Sequence, residues 1–445
     1  MTDAVKVRFA PSPTGLLHVG NIRTALVNWL FCRQQGGRFL LRLDDTDAGR
    51  STEAFAEAIE RDLTWLGLTW DEKARQSDRL ERYQAAADGL KAAGRLYPCY
   101  ESGQELDLKR KVQLGQGMPP VYDRAGLRLT DGEIAAFEKE GRKPHWRFKL
   151  DLPARVSWHD LVKGHLSFDL AALSDPVIIR EDGSFLYTLP SVVDDIDFAI
   201  THILRGEDHA ANSAVQTQLF EALGATAPQF AHFSLLTGAG GEGLSKRLGT
   251  ASIQSYREES GLEAMSINSL LARLGSSDPI EPFTSLGPLV AGFDFARYAR
   301  GTAKFDPKDL DILNAKILHQ TDFSAVASRL EGVDENLWNI CRGNLNKLND
   351  INELKNIVKG KIEPVVEDLN FLRQAADLLP EAPWDETTWK SWTTAVKEQT
   401  GVKGRALFMP LRQAITGNSH GPKMGLLLPL IDPDIVRARL RGEVA

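Results

Sequence analysis

The 445-residue chain is 42% apolar and 25% charged, which excludes a low-complexity or disordered protein and, at roughly 150 residues per domain, suggests about three domains. With a formal net charge of −7, bulk charge gives no support to a nucleic-acid partner, which would need local basic faces. Three widely spaced cysteines, Cys32, Cys99 and Cys341, argue against a disulfide framework, and no apolar run approaches the ~18 residues of a membrane span, so the expectation is a cytoplasmic protein, neither secreted nor membrane-bound.

The chain opens with a strand, a tight loop, a helix and a second strand. Val5, Val7 and Phe9 alternate with Lys6 and Arg8 as in a half-buried strand, and Ala10-Pro11-Ser12-Pro13-Thr14-Gly15 then forces a turn. From His18 to Gln35, Val19, Ile22, Leu26, Trp29 and Leu30 recur at helical spacing, and Gly36-Gly37 supplies the stop. A short apolar strand over 38–43 follows, ending in Asp44-Asp45-Thr46-Asp47. Such a unit is parallel and binds ligands at the carboxyl ends of its strands, where the Pro/Gly loop and the acidic run both fall. A loop feeding a helix amino terminus offers unpaired N–H groups to a phosphate. His18 and Asn21 share one face of the first turn, and Gly20 leaves room for a flat ring. The bland alternative is that His18 is a helix-start histidine with a satisfied hydrogen bond.

Ser51 or Thr52 caps a helix to about Leu66 with Ala54, Phe55, Ile59, Leu63 and Leu66 on its buried face, and Asp78 and Glu81 form a capping box for the next, closed by Gly94. From Cys99 to about Pro176 the sequence becomes charge-rich and interrupted by Gly and Pro, with strand-like pieces such as Trp146–Leu150, and reads as an insertion. Val177-Ile178-Ile179 and the run to Leu204 return to the sheet, with a helix-like acidic segment between them. Asp194, Asp195 and Asp197 read as a solvated acidic face. Arg205 ends a buried-looking run at the ligand edge, with a structural Arg–Asp pair as the alternative. Gly238–Gly249 carries five glycines around Lys246 and Arg247 and reads as a mobile loop, either a solvated tip or a phosphate clamp. Residues 253–320 are helical and mixed, and from 321 to 445 the pattern is helical throughout, a separate all-helical domain. In its last helix Arg437, Arg439 and Arg441 spread around the axis, as a phosphate patch or a solubilising end.

Pro11-Ser12-Pro13-Thr14-Gly15-Leu16-Leu17-His18-Val19-Gly20-Asn21 resembles the first motif of class I aminoacyl-tRNA synthetases, in the form of bacterial glutamyl-tRNA synthetases. Leu43–Asp47 resembles that family's next landmark, Gly243-Leu244-Ser245-Lys246-Arg247 its Lys-Met-Ser-Lys-Ser loop, and Ile203–His209 a motif between them. Ala406–Arg412 and Leu427–Leu430 resemble its anticodon-binding domain. The resemblance implies an α/β fold: a Rossmann-like parallel-sheet catalytic domain in two halves (1–98 and 177–252), an inserted acceptor-end-binding domain (99–176), a tRNA-stem contact region (253–320) and an all-α anticodon-binding domain (321–445). It also implies ligation of L-glutamate to tRNA(Glu), possibly tRNA(Gln), through glutamyl-adenylate, with ATP and Mg²⁺, by a monomer; a silent tRNA-binding paralogue is the rival.

The resemblance further implies ATP contacts at Pro11, Gly15, His18, Gly20, Asn21, Leu244, Ser245, Lys246 and Arg247, with His18 and Lys246 on the developing phosphate charge. For glutamate it implies Arg8 and Arg205 as cations, Ser12 and Tyr187 as helpers, and Asp44 on the amino group. The family usually has glutamate where Asp44 stands and lysine where Gly243 stands. Some members hold a zinc in the insertion through clustered cysteines; here that segment has only Cys99, one thiolate cannot make a structural zinc site, and no zinc is expected.

Overall fold

The computed structural model describes residues 4–238, 240–241, 251–299 and 301–445. They form two compact units, residues 1–256, 267–281 and 285–306 in the first, and 257–266, 282–284 and 307–445 in the second. No helix among the described residues is long and apolar enough to cross a membrane.

The first unit is built on short parallel strands. β1 (Lys6–Phe9) pairs with β2 (Arg38–Leu43), and β2 with β3 (Glu72–Arg75), all parallel, with α1 (Val19–Gln34) and α2 (Glu53–Trp65) as the crossovers. α1 is buried on nearly all sides, with Ile22, Ala25 and Leu26 fully inaccessible. Each such leucine or isoleucine contributes about 1.5–3 kcal/mol by leaving water. Thr52 caps α2, its hydroxyl accepting from Phe55 N at 3.3 Å; Ala56 and Ala58 lie buried there and Ala54 is exposed, a shift from the expected face. The capping box at Asp78 does not form: Asp78 lies inside a 3₁₀ turn over Ser77–Arg79, and α3 (Leu80–Ala92) starts after Arg79 with no side-chain cap.

β4 (Leu96–Cys99) leads into the insertion, which holds α4 (Gly103–Gly115), α5 (Asp131–Lys139), β5 (His145–Phe148) and the hairpin of β6 (Arg155–Asp160) with β7 (Gly164–Asp169). β8 (Val177–Ile179) does not rejoin the parallel strands as expected; it pairs antiparallel with β5, whose other edge takes β4. Gly126 packs against β4 so closely that a Cβ there would stand 2.6 Å from Cys99 Sγ, a space only glycine can occupy.

After α6 (Thr188–Asp197), β9 (His202–Gly206) runs beside β1, with Thr201 N donating to Lys6 O (2.9 Å). α7 (Ala210–Ala222) crosses to β10 (Gln229–Phe233), parallel to β9 and in register so that Arg205 faces His232. One apolar core joins these elements through Leu40, Tyr83, Phe148, Ile178, Val192, Ile203, Leu219 and Phe230. Strands covered on both faces leave no room for the half-solvated β1 expected from its alternation, and Arg8 is buried with Val7 and Phe9.

The second unit is helical, its core centred on the fully buried Trp338 and Trp392. In its last helix (Pro433–Leu440) Arg439 is neither a phosphate contact nor a solubilising group. It is inaccessible to solvent, and its guanidinium donates to the carbonyls of Ile357, Ile415, Gly360 and Ala445 at 2.7–2.9 Å.

Candidate active site

The carboxyl ends of β1, β2, β9 and β10 enclose a cavity of about 710 Å³. Of the residues singled out in the sequence, it gathers Arg8, Pro11, Ser12, His18, Gly20, Asn21, Asp44, Tyr187 and Arg205; Gly15 is not in its lining. Leu244, Ser245, Lys246 and Arg247 lie outside the described residues.

The loop after β1 is held by its own carbonyls: Pro11 O accepts from Asp44 N (3.0 Å) and Pro13 O from Thr52 N (3.1 Å). It delivers His18 to the amino cap of α1, where Nδ1 accepts from Gly20 N (3.1 Å) and Asn21 Oδ1 accepts from His18 N (3.2 Å). The satisfied helix-start histidine is therefore realised, and it fixes the chemistry as well. In the neutral ring an accepting Nδ1 puts the proton on Nε2, so the side chain lining the cavity carries a directed N–H. Asn21 spends its carbonyl on the cap. A Cβ at position 20 would stand 3.0 Å from the His18 ring, tighter than ordinary van der Waals contact.

A buried ion network lies under the cavity, and it corrects the expectation of a solvated acidic face. Asp194 and Asp195 are buried, while Asp197 is partly exposed and pairs with Arg79 and Arg82. Asp195 accepts from Arg8 Nε (3.1 Å) and Arg42 Nη1 (2.9 Å), and Arg42 also grips Asp44 through Nε (2.7 Å) and Nη2 (3.1 Å). Asp194 accepts from Arg79 (2.7 Å), Gln76 (3.1 Å) and the Tyr83 hydroxyl (2.9 Å). Burial alone would lower the basicity of Arg42; the charges of Asp44 and Asp195 outweigh it and hold the guanidinium charged. Sequence reasoning missed Arg42, whose only sign is a charge inside the apolar strand Phe39-Leu40-Leu41-Arg42-Leu43.

Arg205 differs from Arg8 in having no carboxylate within ion-pair distance among the described residues, although it is 9% exposed. Its Nη2 donates to Ser213 Oγ and Gln216 Oε1, both at 2.6 Å, and Nε has no hydrogen-bond partner. Burial, and then repulsion from Arg8, push it down to about 10. A buried cation whose hydrogen-bond partners are neutral and which has no ion pair among the described residues leaves a charge that an anionic ligand can satisfy. Tyr187 and His209, ring to ring at 6.3 Å, stand in the same lining, as does Asp208.

The insertion contains a second cluster. Donor atoms of Cys99, Glu101 and His145 lie within 4.8 Å of one another, so a count of cysteines alone missed two ligand-type side chains. Glu101 Oε2 and His145 Nε2 have no hydrogen-bond partner, whereas Tyr122 donates to Glu101 (2.9 Å) and to Cys99 Sγ (3.4 Å), and Lys109 to Glu101 (3.2 Å). Burial pushes the thiol up to about 11.

Residues 4–312 match the family model for the catalytic domain of class I tRNA synthetases (E and Q), and residues 346–443 that for an anticodon binding domain. The chain is similar to glutamate–tRNA ligase 1 of Maricaulis maris (54% identity, 99% of this chain and 100% of that one) and to glutamate–tRNA ligase of Azospirillum brasilense (55%, 99% and 100%). It is also similar to the crystal structure of a glutamate tRNA ligase from Elizabethkingia meningosepticum in complex with its amino acid (25% identity, TM-score 0.85, 98% of each chain). Matched over nearly its whole length, the chain belongs to the glutamate–tRNA ligases among the class I aminoacyl-tRNA synthetases.

Proposed function

We propose that this protein joins L-glutamate to tRNA(Glu) in two steps at the cavity described above. A carboxylate oxygen of glutamate attacks the α-phosphorus of ATP, releasing pyrophosphate; a terminal ribose hydroxyl of the tRNA then attacks the glutamyl carbonyl, releasing AMP. The obstacle to the first step is repulsion between two anions, so the site needs fixed cations and aligned donors more than a base. Mg²⁺ bound to ATP supplies part of the neutralisation.

The observation that carries the amino-acid reading is Arg205, buried at the cavity without a counter-ion among the described residues. Arginine's planar fork suits the side-chain carboxylate of glutamate, and a glutamine amide would leave the charge unpaired. Arg8 is neutralised by Asp195, which makes it a support of the site, with Arg205 the principal cation. Asp44, aimed by Arg42, takes the amino group, and Ser12 and Tyr187 complete the pocket. His18 presents its Nε2–H to the phosphates over Gly20, and Lys246 is the cation assigned to the departing pyrophosphate.

Zinc is not needed in this reading. Cys99, Glu101 and His145 provide three donors where a structural zinc takes four, beside Lys109 and a thiol held protonated by burial. The activity is tested by glutamate-dependent ATP–pyrophosphate exchange with and without tRNA, and by charging of purified tRNA(Glu) and tRNA(Gln). A protein that binds tRNA(Glu) but supports neither exchange nor charging would refute it.

A further inference from the structure

Arg205 is held by a hydrogen-bonded chain that runs away from the cavity into the protein. Its Nη2 donates to Ser213 Oγ (2.6 Å); Ser213 Oγ lies 2.8 Å from His232 Nε2; His232 Nδ1 lies 2.5 Å from Asp160 Oδ2. The four residues come from β9, α7, β10 and the end of β6, and Ser213, His232 and Asp160 are inaccessible or nearly so. Gln216, one turn after Ser213 on α7, takes a second Nη2 hydrogen at 2.6 Å.

The direction of each bond follows from the end of the chain. Asp160 also accepts from the backbone N–H of His232 (3.0 Å), Val162 (3.1 Å) and Lys163 (2.9 Å). Burial pushes its carboxyl up, and the bonds from His232 and Lys163 outweigh that and hold it down to about 2. A carboxylate is an acceptor only, so Nδ1 of His232 carries a proton, and in the neutral ring Nε2 is then bare. Ser213 Oγ has two acceptors in reach, His232 Nε2 at 2.8 Å and the carbonyl of His209 at 3.2 Å, and its hydrogen goes to the nearer, which turns the oxygen lone pairs toward Arg205. Were the serine hydrogen aimed at Arg205, two donors would meet and the guanidinium would lose this anchor.

The arrangement has the geometry of a Ser-His-Asp triad. It is not a nucleophile, because Ser213 is fully buried and its oxygen already accepts from a guanidinium. We infer that Asp160, His232 and Ser213 are positioning residues: they fix the tautomer and the hydroxyl rotor so that Arg205 is held by Nη2 alone, its Nη1 left to the glutamate carboxylate. This rests on Arg205 being the glutamate cation.

The test compares Ser213→Ala, Ser213→Thr, His232→Gln and Arg205→Ala in the full chain, reading KM for glutamate and for ATP in pyrophosphate exchange with tRNA present, and the ¹⁵N ring resonances of the histidines. Ser213→Ala removes one oxygen and opens no large void. It raises KM for glutamate ~10-fold, the loss of about one hydrogen bond to a charged group, with KM for ATP within ~2-fold. Ser213→Thr keeps the hydroxyl and restores glutamate KM. The resonances that vanish in His232→Gln show a protonated Nδ1 and a bare Nε2 in the unaltered protein. A protonated Nε2, or a glutamate KM unchanged within ~2-fold in Ser213→Ala, overturns the inference. If Arg205→Ala raises glutamate KM by ~30-fold or more while Ser213→Ala does nothing, the cation reading stands and the positioning chain falls. If Arg205→Ala leaves that KM unchanged, both fall.

Discussion

Replacing Asp195 by asparagine separates buried from exposed charge pairing in this fold. Asp195 is the only carboxylate that pairs with Arg8 among the described residues, and both side chains are buried. Removing one partner of such a pair leaves an uncompensated charge, at a cost of about 3–5 kcal/mol. Arg42, the other donor to Asp195, keeps Asp44 at 2.7 Å, which places the expected loss near the lower end, about 3 kcal/mol. Asp197→Asn is the control two residues along the same helix. That carboxylate is 25% exposed and pairs with Arg82, 45% exposed, and with Arg79, 23% exposed and still held by Asp194, so its loss is about 1 kcal/mol or less. Amide hydrogen exchange by mass spectrometry reads the opening free energy of the peptides holding β1, β2 and α6 in each variant, without treating the two units as one transition. A loss below about 1 kcal/mol for Asp195→Asn, or equal losses at Asp195 and Asp197, would refute the burial argument.

Arg205→Ala is expected to weaken glutamate use by about 2–5 kcal/mol with ATP affinity nearly unchanged; equal losses for both substrates would point to collapse of the pocket. Lys246→Ala is expected to slow glutamyl-adenylate formation ~10²–10³-fold with a modest change in ATP affinity, and Arg247→Ala to be much milder, checked in single-turnover activation. Metal analysis of the purified protein is expected to find no stoichiometric zinc; one zinc per chain would assign it to Cys99, Glu101 and His145. Arg439→Ala is expected to destabilise the helical unit by about 3 kcal/mol or more, since it orphans four carbonyls, some of them buried, and tRNA charging at low temperature should survive.

The parallel strand–helix–strand unit and its ligand edge were legible because hydrophobic period and the Pro/Gly loop are local signals, and the capped His18 lies within three residues of its partners. The ion network was not legible, because its members are remote: Arg42 and Asp195 are 153 residues apart, and a window around Asp194 shows only a run of acids. Arg439 misled in the same way, since the carbonyls of Ile357, Gly360 and Ile415 that hold it lie 24 to 82 residues away in the sequence. The capping box at Asp78 gave way to a 3₁₀ turn over Ser77–Arg79, which delays the helix to Leu80. β8 was legible as a strand, but its neighbour is set by the insertion, and strand pairing is not written in either segment alone.

That pairing also bears on what can be cut from this protein. β5 is the middle strand between β4, where the insertion leaves, and β8, where it returns, and Phe148 at its end sits in the main core. Neighbouring strands lie about 4.8 Å apart, so excising the whole insertion would leave two unpaired edges roughly 10 Å from each other and a hole where Phe148 had been. α4 and α5, by contrast, bury no residue of their own. Residues 99–176 therefore combine two helices that bury nothing of their own with a strand on which the pairing of both β4 and β8 depends.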